Sequence, residues 1–395
     1  MGGRYRWAIL GAATVMQVGL SMPQQTPAAI GPVLVHSLGL SRAELGLLTS
    51  AIWGGMLLGM LPFGLLVDRL GERAVVCAGA VALAAFLGIA ARTGSFLPLF
   101  LLLIPAAIGA ASGSPGGTRA IAAWFPPSMR GSALGVRQAG VTVAGVVAAV
   151  LLPPIALRWG WPAAFVTVAA AALGSVLVFT LVYRDPVDRR TAARVPLDLP
   201  ALLRNRGFLA ATLFGWMFMG VLGSFVTYLP ASLHEQAGIG IIQAGLFLAL
   251  LQVGGLVGRI GWGIASDRAG SRSLLMGVAG VLAGVSALLM ALLAHPRVPA
   301  LVTGVLCFVL GLAGMGWNGL YIALAAESVP LQHAATAVGA GATITFTGMF
   351  AITPLFGLLA DRSGGYVLPW LALGAWALAG AAFVLAVPDR RRAPA

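Results

Sequence analysis

The chain is organised as long apolar runs separated by short polar or charged segments. A run of ~20 apolar residues is long enough to cross the hydrocarbon core of a bilayer as a helix. We therefore predict an all-α membrane protein with twelve transmembrane helices. The predicted spans in the first half are residues 7–35, 43–66, 74–91, 96–125, 131–157 and 162–182, and those in the second half are 207–231, 243–265, 274–294, 300–326, 335–360 and 368–387.

The longest polar stretch lies between the two sets of six predicted helices. We predict two pseudo-symmetric six-helix bundles, at residues 1–182 and 207–395, joined by a basic cytoplasmic linker at 183–206. Because each set has an even number of helices, both copies keep the same orientation and are related by an axis along the membrane normal. A cavity between the bundles is then the natural place for a substrate. The linker contains Arg184, Arg189, Arg190, Arg194, Arg204 and Arg206.

The composition excludes a water-soluble protein. Hydrophobic residues make up 59% of the chain and charged residues only 9%, against roughly 25% charged residues in soluble domains. We find no nucleophile elbow, phosphate loop or metal-ligand spacing. We therefore expect a membrane protein without enzymatic activity, cofactor or metal, and we interpret Cys77 and Cys307 as packing residues.

The net charge of +13 arises from arginine alone, because the chain contains no lysine. Most arginines fall in segments that are cytoplasmic if the N-terminus is cytoplasmic, as the positive-inside rule requires. We predict a multi-pass protein of the bacterial cytoplasmic membrane with both termini cytoplasmic. Lipid is then the expected surrounding, nucleic acid is not an expected partner, and we expect a monomer. The first helix should be retained, since no small-residue cleavage site follows it.

One motif occurs at residues 64–73 and again at 263–272, and both copies read G-x-x-x-D-R-x-G-x-R. It follows the second helix of each predicted bundle. This pattern resembles the major facilitator superfamily, whose loop between helices 2 and 3 carries a G-x-L-x-D-R-x-G-R-R signature. A shorter related fragment occurs at residues 357–364, after the eleventh predicted span.

The resemblance implies a major facilitator fold and a secondary transporter that works by alternating access. A tight glycine turn places an aspartate beside arginines at a helix end, where a charged clasp can break and form again. We predict that these residues act as gates, although the same residues are also consistent with a role only in loop geometry. The predicted gate residues are Asp68, Arg69, Arg73, Asp267, Arg268 and Arg272.

Two departures from family patterns narrow the subfamily. Proton-driven drug exporters carry a glycine-proline signature in the fifth helix, whereas Ala144 and Gly145 occupy that place here. The arginine that is usual early in the fourth helix is also missing. Drug export is therefore less favoured than other transport.

Three arginines, Arg119, Arg137 and Arg259, fall inside predicted spans. An arginine at mid-helix costs at least ~2.5–3.5 kcal/mol on insertion scales, so it normally faces a cavity or a partner. All eleven acidic residues map to loops or helix ends, which leaves a positive cavity that favours an anion. The acidic residues are Glu44, Asp68, Glu72, Asp185, Asp188, Asp198, Glu235, Asp267, Glu327, Asp361 and Asp389.

The run at residues 259–267, at the end of the eighth predicted span, resembles the oxalate/formate antiporter and monocarboxylate transporter branch. That resemblance implies that Arg259 binds a substrate carboxylate, for which a planar guanidinium is well suited. Arg119 or Arg137 would supply a second cation. The alternative for all three arginines is a clasp with Asp68, Asp267 or Glu327.

Polar and aromatic residues on the presumed cavity faces complete the predicted binding site. Gln17 and Gln24 lie on one face of the first helix, and Asn318, Tyr321 and Tyr228 lie in the second half. Polar residues in membranes also hold helices together, so each of them has that alternative role.

We therefore predict a transporter of a small organic anion, similar to a monocarboxylate. The alternatives are carriage of an inorganic or cyanate-like anion, then multidrug export, and, from another class, a membrane receptor or scaffold that transports nothing. All four histidines map to loops, and arginine does not release its proton. We expect anion exchange, or symport with a proton on the substrate carboxylate, with Glu44 and Glu327 as the remaining proton sites.

Overall fold

The computed structural model describes residues 2–184, 205–293, 295, 297–327 and 334–386. Most of the predicted linker, and the side chain of Glu327, lie outside the described residues. Within the described part, all regular structure is helical. The helices are α1 Gly2–Ala29, α2 Gly31–Leu38, α3 Arg42–Leu70, α4 Glu72–Ala90, α5 Phe96–Ala110, α6 Gly113–Trp124, α7 Pro127–Trp159, α8 Trp161–Val182, α9 Arg206–Ala237, α10 Ile241–Ala269, α11 Arg272–Leu293, α12 Ala300–Gly314, α13 Asn318–Glu327, α14 Ala334–Ser363 and α15 Val367–Leu385.

The apolar runs form helices because a bilayer offers no water to the backbone, and a helix satisfies its own N–H and C=O groups. Eleven helical segments in the described part are long and apolar enough to cross a membrane. The remaining span is α1, which has 28 residues and therefore a length of about 42 Å. It is more polar than the others because it carries buried Gln17, Gln24 and Gln25.

Three predicted spans contain a break in the helix that the sequence analysis did not predict. The first span breaks at Ile30, the fourth at residues 111–112 and the tenth at residues 315–317. The irregular backbone is tolerated because it is enclosed by protein, as the burial of Ser112 and Trp317 shows. The breaks in the fourth and tenth spans occupy corresponding places in the two halves.

The described residues divide into two compact units. The first is drawn from Met1–Leu40 and Leu47–Ala192, and the second from Ser41–Gly46 and Ala193–Ala395. In the first unit α1 packs on α7 and α4 on α8, and in the second α9 packs on α14 and α11 on α15. The first and fifth spans, and the third and sixth, are therefore paired in the same way in each unit. This repeated packing agrees with the repeated motif in the sequence.

The short segment Ser41–Gly46 begins helix α3 but packs with the second unit, whereas α3 from Leu47 onward packs with the first. The start of this helix is a capping box. The Ser41 amide donates to Oε2 of Glu44 at 2.8 Å, and the Glu44 amide donates to the Ser41 hydroxyl at 3.1 Å. These two bonds satisfy amide groups that a helix start leaves without a partner.

Candidate functional site

Arg137, in α7, is the most enclosed cation of the first unit, with 3% of its surface exposed. Among the described residues, the hydrogen-bond partners of its guanidinium are all neutral. Nη1 donates to Oε1 of Gln17 in α1, and Nη2 donates to the Thr118 hydroxyl of α6 at 3.0 Å. A longer bond of 3.4 Å reaches the Gly113 carbonyl. Groups of two neighbouring helices, α1 and α6, therefore hold the guanidinium that α7 carries.

No carboxylate of the described residues pairs with Arg137. Its Nε atom is also buried without a hydrogen-bond partner in this part of the chain. Burying a cation without a compensating anion is costly, so such a charge normally meets a mobile anion or has its acid nearby. The local chemistry of Arg137 suits a carboxylate, sulfonate or phosphate oxygen.

Two glutamines of α1 extend this polar region along the helix. Gln17 uses its amide nitrogen to donate to the Ser21 hydroxyl at 2.9 Å, so its carbonyl oxygen is fixed toward Arg137. Gln24 is also buried, and its Oε1 has no hydrogen-bond partner among the described residues. The structure therefore brings Gln17 and Arg137 together, as expected for one site, and leaves Gln24 as a separate polar group.

Arg119, in α6, has a different environment from Arg137. Its Nη1 lies 2.9 Å from Oδ1 of Asp68, and its Nε lies 3.0 Å from Oε1 of Glu72. Nη1 also donates to the Val67 carbonyl at 2.8 Å. Arg119 is thus neutralised by two carboxylates, which favours the clasp alternative over the role of substrate ligand.

One of the acids at the helix ends, Glu72, is buried more deeply than the sequence analysis expected. Glu72 opens α4, yet it is only 4% exposed. The glycine turn at Gly71, with φ of +87°, redirects the chain so that the next side chain points back toward α6. Glu72 lies at a helix end, as the sequence analysis predicted, but that analysis missed its buried ion pair with Arg119.

In the second copy of the motif, the aspartate at the end of α10 pairs with the arginine that begins α11. Oδ1 of Asp267 lies 2.7 Å from Nη1 of Arg272, only five positions along the chain, and the Asp267 side chain is 67% exposed. Arg272 also donates to the Ser266 hydroxyl. The remaining predicted gate residues, Arg69, Arg73 and Arg268, are exposed.

Arg259 lies in α10 of the second unit and is partly exposed. Its helix contacts the broken tenth span, where Trp262 donates from Nε1 to the Leu312 carbonyl at 2.8 Å. A side chain at Gly319, at the start of α13, would lie 3.7 Å from the Arg259 carbonyl. Arg259 therefore sits beside the helix break, next to the first turn of α13.

The remaining predicted ligands of the second unit differ in their surroundings. The Tyr321 hydroxyl is buried beside the hydroxyls of Thr212 and Thr345. Asn318 is partly exposed at the start of α13. The Tyr228 hydroxyl instead lies 2.9 Å from the Arg42 carbonyl and 3.0 Å from the Thr353 carbonyl. Its hydrogen is therefore donated to the backbone. This geometry argues against Tyr228 as a substrate ligand.

Comparison with known proteins agrees with the helical architecture and the repeated motif. The model of the Major Facilitator Superfamily matches residues 9–353. The chain belongs to the Major Facilitator Superfamily. It is therefore a multi-pass membrane transporter with the twelve-helix fold and not an enzyme, as the sequence analysis predicted. Placement in the oxalate/formate and monocarboxylate branch stays a prediction.

Three curated members of the superfamily illustrate the range of its relatives. The probable sulfoacetate transporter of Cupriavidus necator is 26% identical and covers 94% of this chain and 91% of that protein. The probable galactarate/D-glucarate transporter of Bacillus subtilis is 23% identical, with 88% and 84% covered. The chloramphenicol resistance protein of Streptomyces lividans is 30% identical, with 80% and 81% covered.

Solved structures of superfamily members share the fold of this chain. A bacterial homologue of the human lysosomal transporter Spinster, in an inward-facing and unoccupied conformation, gives a TM-score of 0.78 at 18% identity, with 97% of each chain covered. The D-xylose–proton symporter gives a TM-score of 0.78 at 15% identity, with 98% of this chain and 99% of that chain covered. These similarities concern the fold alone.

Proposed function

We propose that this member of the Major Facilitator Superfamily is a secondary transporter of a small organic anion and that Arg137 binds the anion. The observation that supports the proposal is the enclosure of the Arg137 guanidinium of α7 by neutral groups of α1 and α6 in the described part of the chain. A permanent arginine charge in such a place lowers the free energy of a bound carboxylate, because both charges are then compensated. When no anion is bound, the burial of the Arg137 charge is unfavourable.

The names of two relatives support an organic anion. One is described as a probable sulfoacetate transporter and another as a probable galactarate/D-glucarate transporter. Both names refer to substrates with acidic groups that are ionised at neutral pH and that match a guanidinium. We infer a substrate with at least one carboxylate or sulfonate, and a monocarboxylate is the simplest member of this class.

Arg259 is the second proposed anion ligand, in the other unit. Its place beside the break of the tenth span supports this role, because interrupted helices in corresponding positions of two repeats point to substrate sites in transporters. Asn318 and Tyr321 belong to the same region and would contribute hydrogen bonds. Arg119 is omitted from the ligands, because Asp68 and Glu72 neutralise it.

The remaining assignments complete the proposal. We propose that the protein resides in the bacterial cytoplasmic membrane with both termini cytoplasmic, and that it works by alternating access as a monomer. Carriage of an inorganic anion is the second candidate, because a guanidinium also binds nitrate or phosphate. Drug export is supported by the relation to the chloramphenicol resistance protein, and it predicts transport of a neutral or cationic compound.

The test is an anion-binding series on the purified protein. Lactate, oxalate, sulfoacetate, glucarate, nitrate and a lipophilic cation are screened by counterflow in proteoliposomes, and affinity for the best anion is measured with Arg137→Lys and Arg137→Gln. We expect Arg137→Lys to weaken binding by ~1–3 kcal/mol, because the charge stays and the paired hydrogen bonds are lost. Arg137→Gln should abolish binding.

The stability of the empty protein separates a ligand from a structural residue. Arg137→Gln removes a buried charge that lacks a counter-charge among the described residues. Without bound anion, the melting temperature of this variant should equal or exceed that of the natural protein, because residues that bind a ligand often lower the stability of the empty protein. Arg92→Gln, at an exposed turn, is the matched control. Full anion affinity in Arg137→Gln, or counterflow of the lipophilic cation alone, would contradict the proposal.

A further inference from the structure

A cluster of aromatic side chains lies at the end of the first unit where helix α1 begins. Tyr5 and Trp7 belong to the first turns of α1, and Trp124 and Phe125 lie at the end of α6. The ring centroids of Tyr5 and Trp124 are 5.3 Å apart, and those of Trp7 and Phe125 are 5.6 Å apart. The Tyr5 hydroxyl also donates to the Val182 carbonyl at the end of α8. The cluster therefore joins the ends of three helices of one unit.

Two arginines lie over the rings of this cluster. Cζ of Arg184, two residues after the end of α8, lies 5.2 Å from the centroid of the Tyr5 ring. Cζ of Arg6 lies 5.7 Å from the Trp7 ring and 5.9 Å from the Phe125 ring. The negative face of an aromatic ring attracts a guanidinium at this distance. The rings therefore orient both cations through contacts that do not neutralise their charge.

Hydrogen bonds to the backbone place a third arginine at the same end. Nε of Arg130 donates to the Phe125 carbonyl at 2.9 Å, and Nε1 of Trp124 donates to the Arg184 carbonyl at 3.2 Å. Within the described part of the chain, no carboxylate pairs with Arg6, Arg130 or Arg184. Nε of Arg6 is also buried there without a hydrogen-bond partner. Three positive charges therefore meet at this end without a counter-charge from the described residues.

The surroundings of the cluster place it at the boundary between hydrocarbon and water. Trp7, at the start of the apolar part of α1, is 50% exposed, and Leu181, in the last turn of α8, is 73% exposed. Exposed apolar side chains of a transmembrane helix contact lipid, and tryptophan at a helix end lies at the level of the headgroups. Arg130 and Arg184 are exposed beside them. The arginines therefore lie where lipid phosphate groups lie.

We propose that this end of the first unit binds the headgroup of an anionic phospholipid. The headgroup site consists of Arg6, Trp7, Arg130 and Arg184. The planar guanidinium groups donate paired hydrogen bonds to phosphate oxygens, and Trp7 packs against the upper part of an acyl chain. Basic pockets between the cytoplasmic ends of transmembrane helices bind anionic headgroups in this way. With the proposed cytoplasmic N-terminus, the lipid belongs to the inner leaflet.

The charge of the headgroup site distinguishes between lipid classes. Phosphatidylglycerol carries a net negative charge, whereas the choline of phosphatidylcholine places a second cation near the arginines. The headgroup site is therefore selective for the anionic lipid. It is also separate from the proposed anion site, because Arg137 is 3% exposed and hydrogen-bonds to Gln17 and Thr118 instead.

The test measures lipid binding to the delipidated protein in a neutral detergent, without any transport substrate. Binding of phosphatidylglycerol and of phosphatidylcholine is titrated by native mass spectrometry. We expect Arg6→Gln and Arg184→Gln each to weaken phosphatidylglycerol binding about fivefold, the contribution of one basic residue near an anionic surface. The corresponding lysine variants keep the charge and should retain most of the affinity. Arg92→Gln, at the exposed turn after α4, is the matched control and should bind normally.

A second measurement shows where the lipid binds. Phosphatidylglycerol with brominated acyl chains should quench the tryptophan fluorescence more than brominated phosphatidylcholine does, and this difference should fall in Trp7→Phe. Inorganic phosphate at the same concentration should not displace the lipid, because it lacks the acyl chains. Equal affinity for the two lipids, displacement by phosphate, or full phosphatidylglycerol affinity in monodisperse Arg6→Gln with Arg184→Gln would overturn the headgroup site.

Discussion

Nε of Arg119 lies 3.0 Å from Oε1 of Glu72, which is the first residue of α4 and is almost fully buried. Asp68 at the end of α3 supplies the second carboxylate. The pair therefore ties α6 to the turn between α3 and α4 within the first unit. The Glu72 carboxylate is buried, so Arg119 provides most of the interaction that stabilises its charge. The Asp68 carboxylate is exposed, so water also stabilises its charge.

The clasp predicts unequal stability effects of its two acids. Glu72→Gln should lower the free energy of unfolding by about 1–3 kcal/mol, because it removes a charged hydrogen bond in a buried place. Asp68→Asn should lower it by less than ~1 kcal/mol, because exposed ion pairs contribute little. The measurement is thermal unfolding of the purified protein in one detergent.

The double variant checks that the effect comes from the pair. Removing both charges in Glu72→Gln with Arg119→Gln should cost less than the sum of the single variants, since neither charge is then left buried alone. Arg73→Gln, at the exposed residue next to Glu72, serves as the control. Additive losses would show that Arg119 and Glu72 act independently.

The two motif copies predict different effects on the transport cycle. Asp68 pairs with Arg119 of α6, 51 positions away in the chain, whereas Asp267 pairs with the nearby Arg272 at the start of the next helix. We expect Asp68→Asn to slow exchange in proteoliposomes more than Asp267→Asn, while both keep nearly normal equilibrium binding. A large loss of substrate affinity with a normal exchange rate in either variant would assign that aspartate to the binding site instead.

A substitution at Gly117 in α6 should displace the Arg137 guanidinium without changing any charge. A Cβ at Gly117 would lie 2.7 Å from Nη1 of Arg137 and 3.1 Å from its Cδ, so the guanidinium must shift. We expect Gly117→Ala to weaken anion binding about tenfold, a loss of the size of one charged hydrogen bond. Gly135→Ala in α7, where a Cβ meets nothing within 4 Å, is the matched control. Equal affinities in the two variants would argue against Arg137 as the ligand.

Arg259 gives a parallel prediction in the second unit. If it binds a carboxylate directly, Arg259→Lys should weaken anion binding by ~1–3 kcal/mol, because the charge stays and the paired geometry is lost. Arg297→Gln, at an exposed arginine outside the spans, should leave affinity unchanged. Full anion affinity in Arg259→Ala would remove Arg259 from the site.

The sequence predicted the spans and the repeat because both depend on local patterns. Apolar length determines where helices cross the bilayer, and a motif that occurs twice shows the duplication directly. The breaks at Ser112 and Trp317 were not predicted, since enclosure by neighbouring helices permits them and local sequence does not show that enclosure. The depth of Glu72 was missed for a similar reason, because a left-handed glycine at Gly71 sets the direction of that side chain.

The partners of the intramembrane arginines depend on contacts between distant parts of the chain. Arg119 and Arg137 both fall inside predicted spans, yet Arg119 pairs with two carboxylates and Arg137 with Gln17 and Thr118. The spacing of residues along one helix does not show which side chains of other helices will surround an arginine. Asp361 likewise accepts hydrogen bonds from the amides of Arg42 and Ala43, 319 and 318 positions away, so the fragment at residues 357–364 did not show what Asp361 binds.

Glu44 bears on how transport is coupled to protons. The sequence analysis treated it as one of two remaining proton sites, with Glu327. In the structure Glu44 accepts from the Ser41 amide and forms a capping box. Glutamine also forms this box, since its side-chain oxygen accepts the same bond. Glu44→Gln should therefore fold normally and differ from the natural protein only in its ability to carry a proton.

We expect uptake driven by an imposed pH gradient to persist in Glu44→Gln, in Glu327→Gln and in the double variant. The reason is that Arg137 and Arg259 stay charged throughout the cycle, so the proton is expected to travel on the substrate carboxylate or to be replaced by a counter-anion. The measurement compares gradient-driven uptake with anion exchange in the same proteoliposomes, and Arg92→Gln controls for reconstitution. Loss of gradient-driven uptake with exchange preserved would show instead that a protein carboxylate carries the proton.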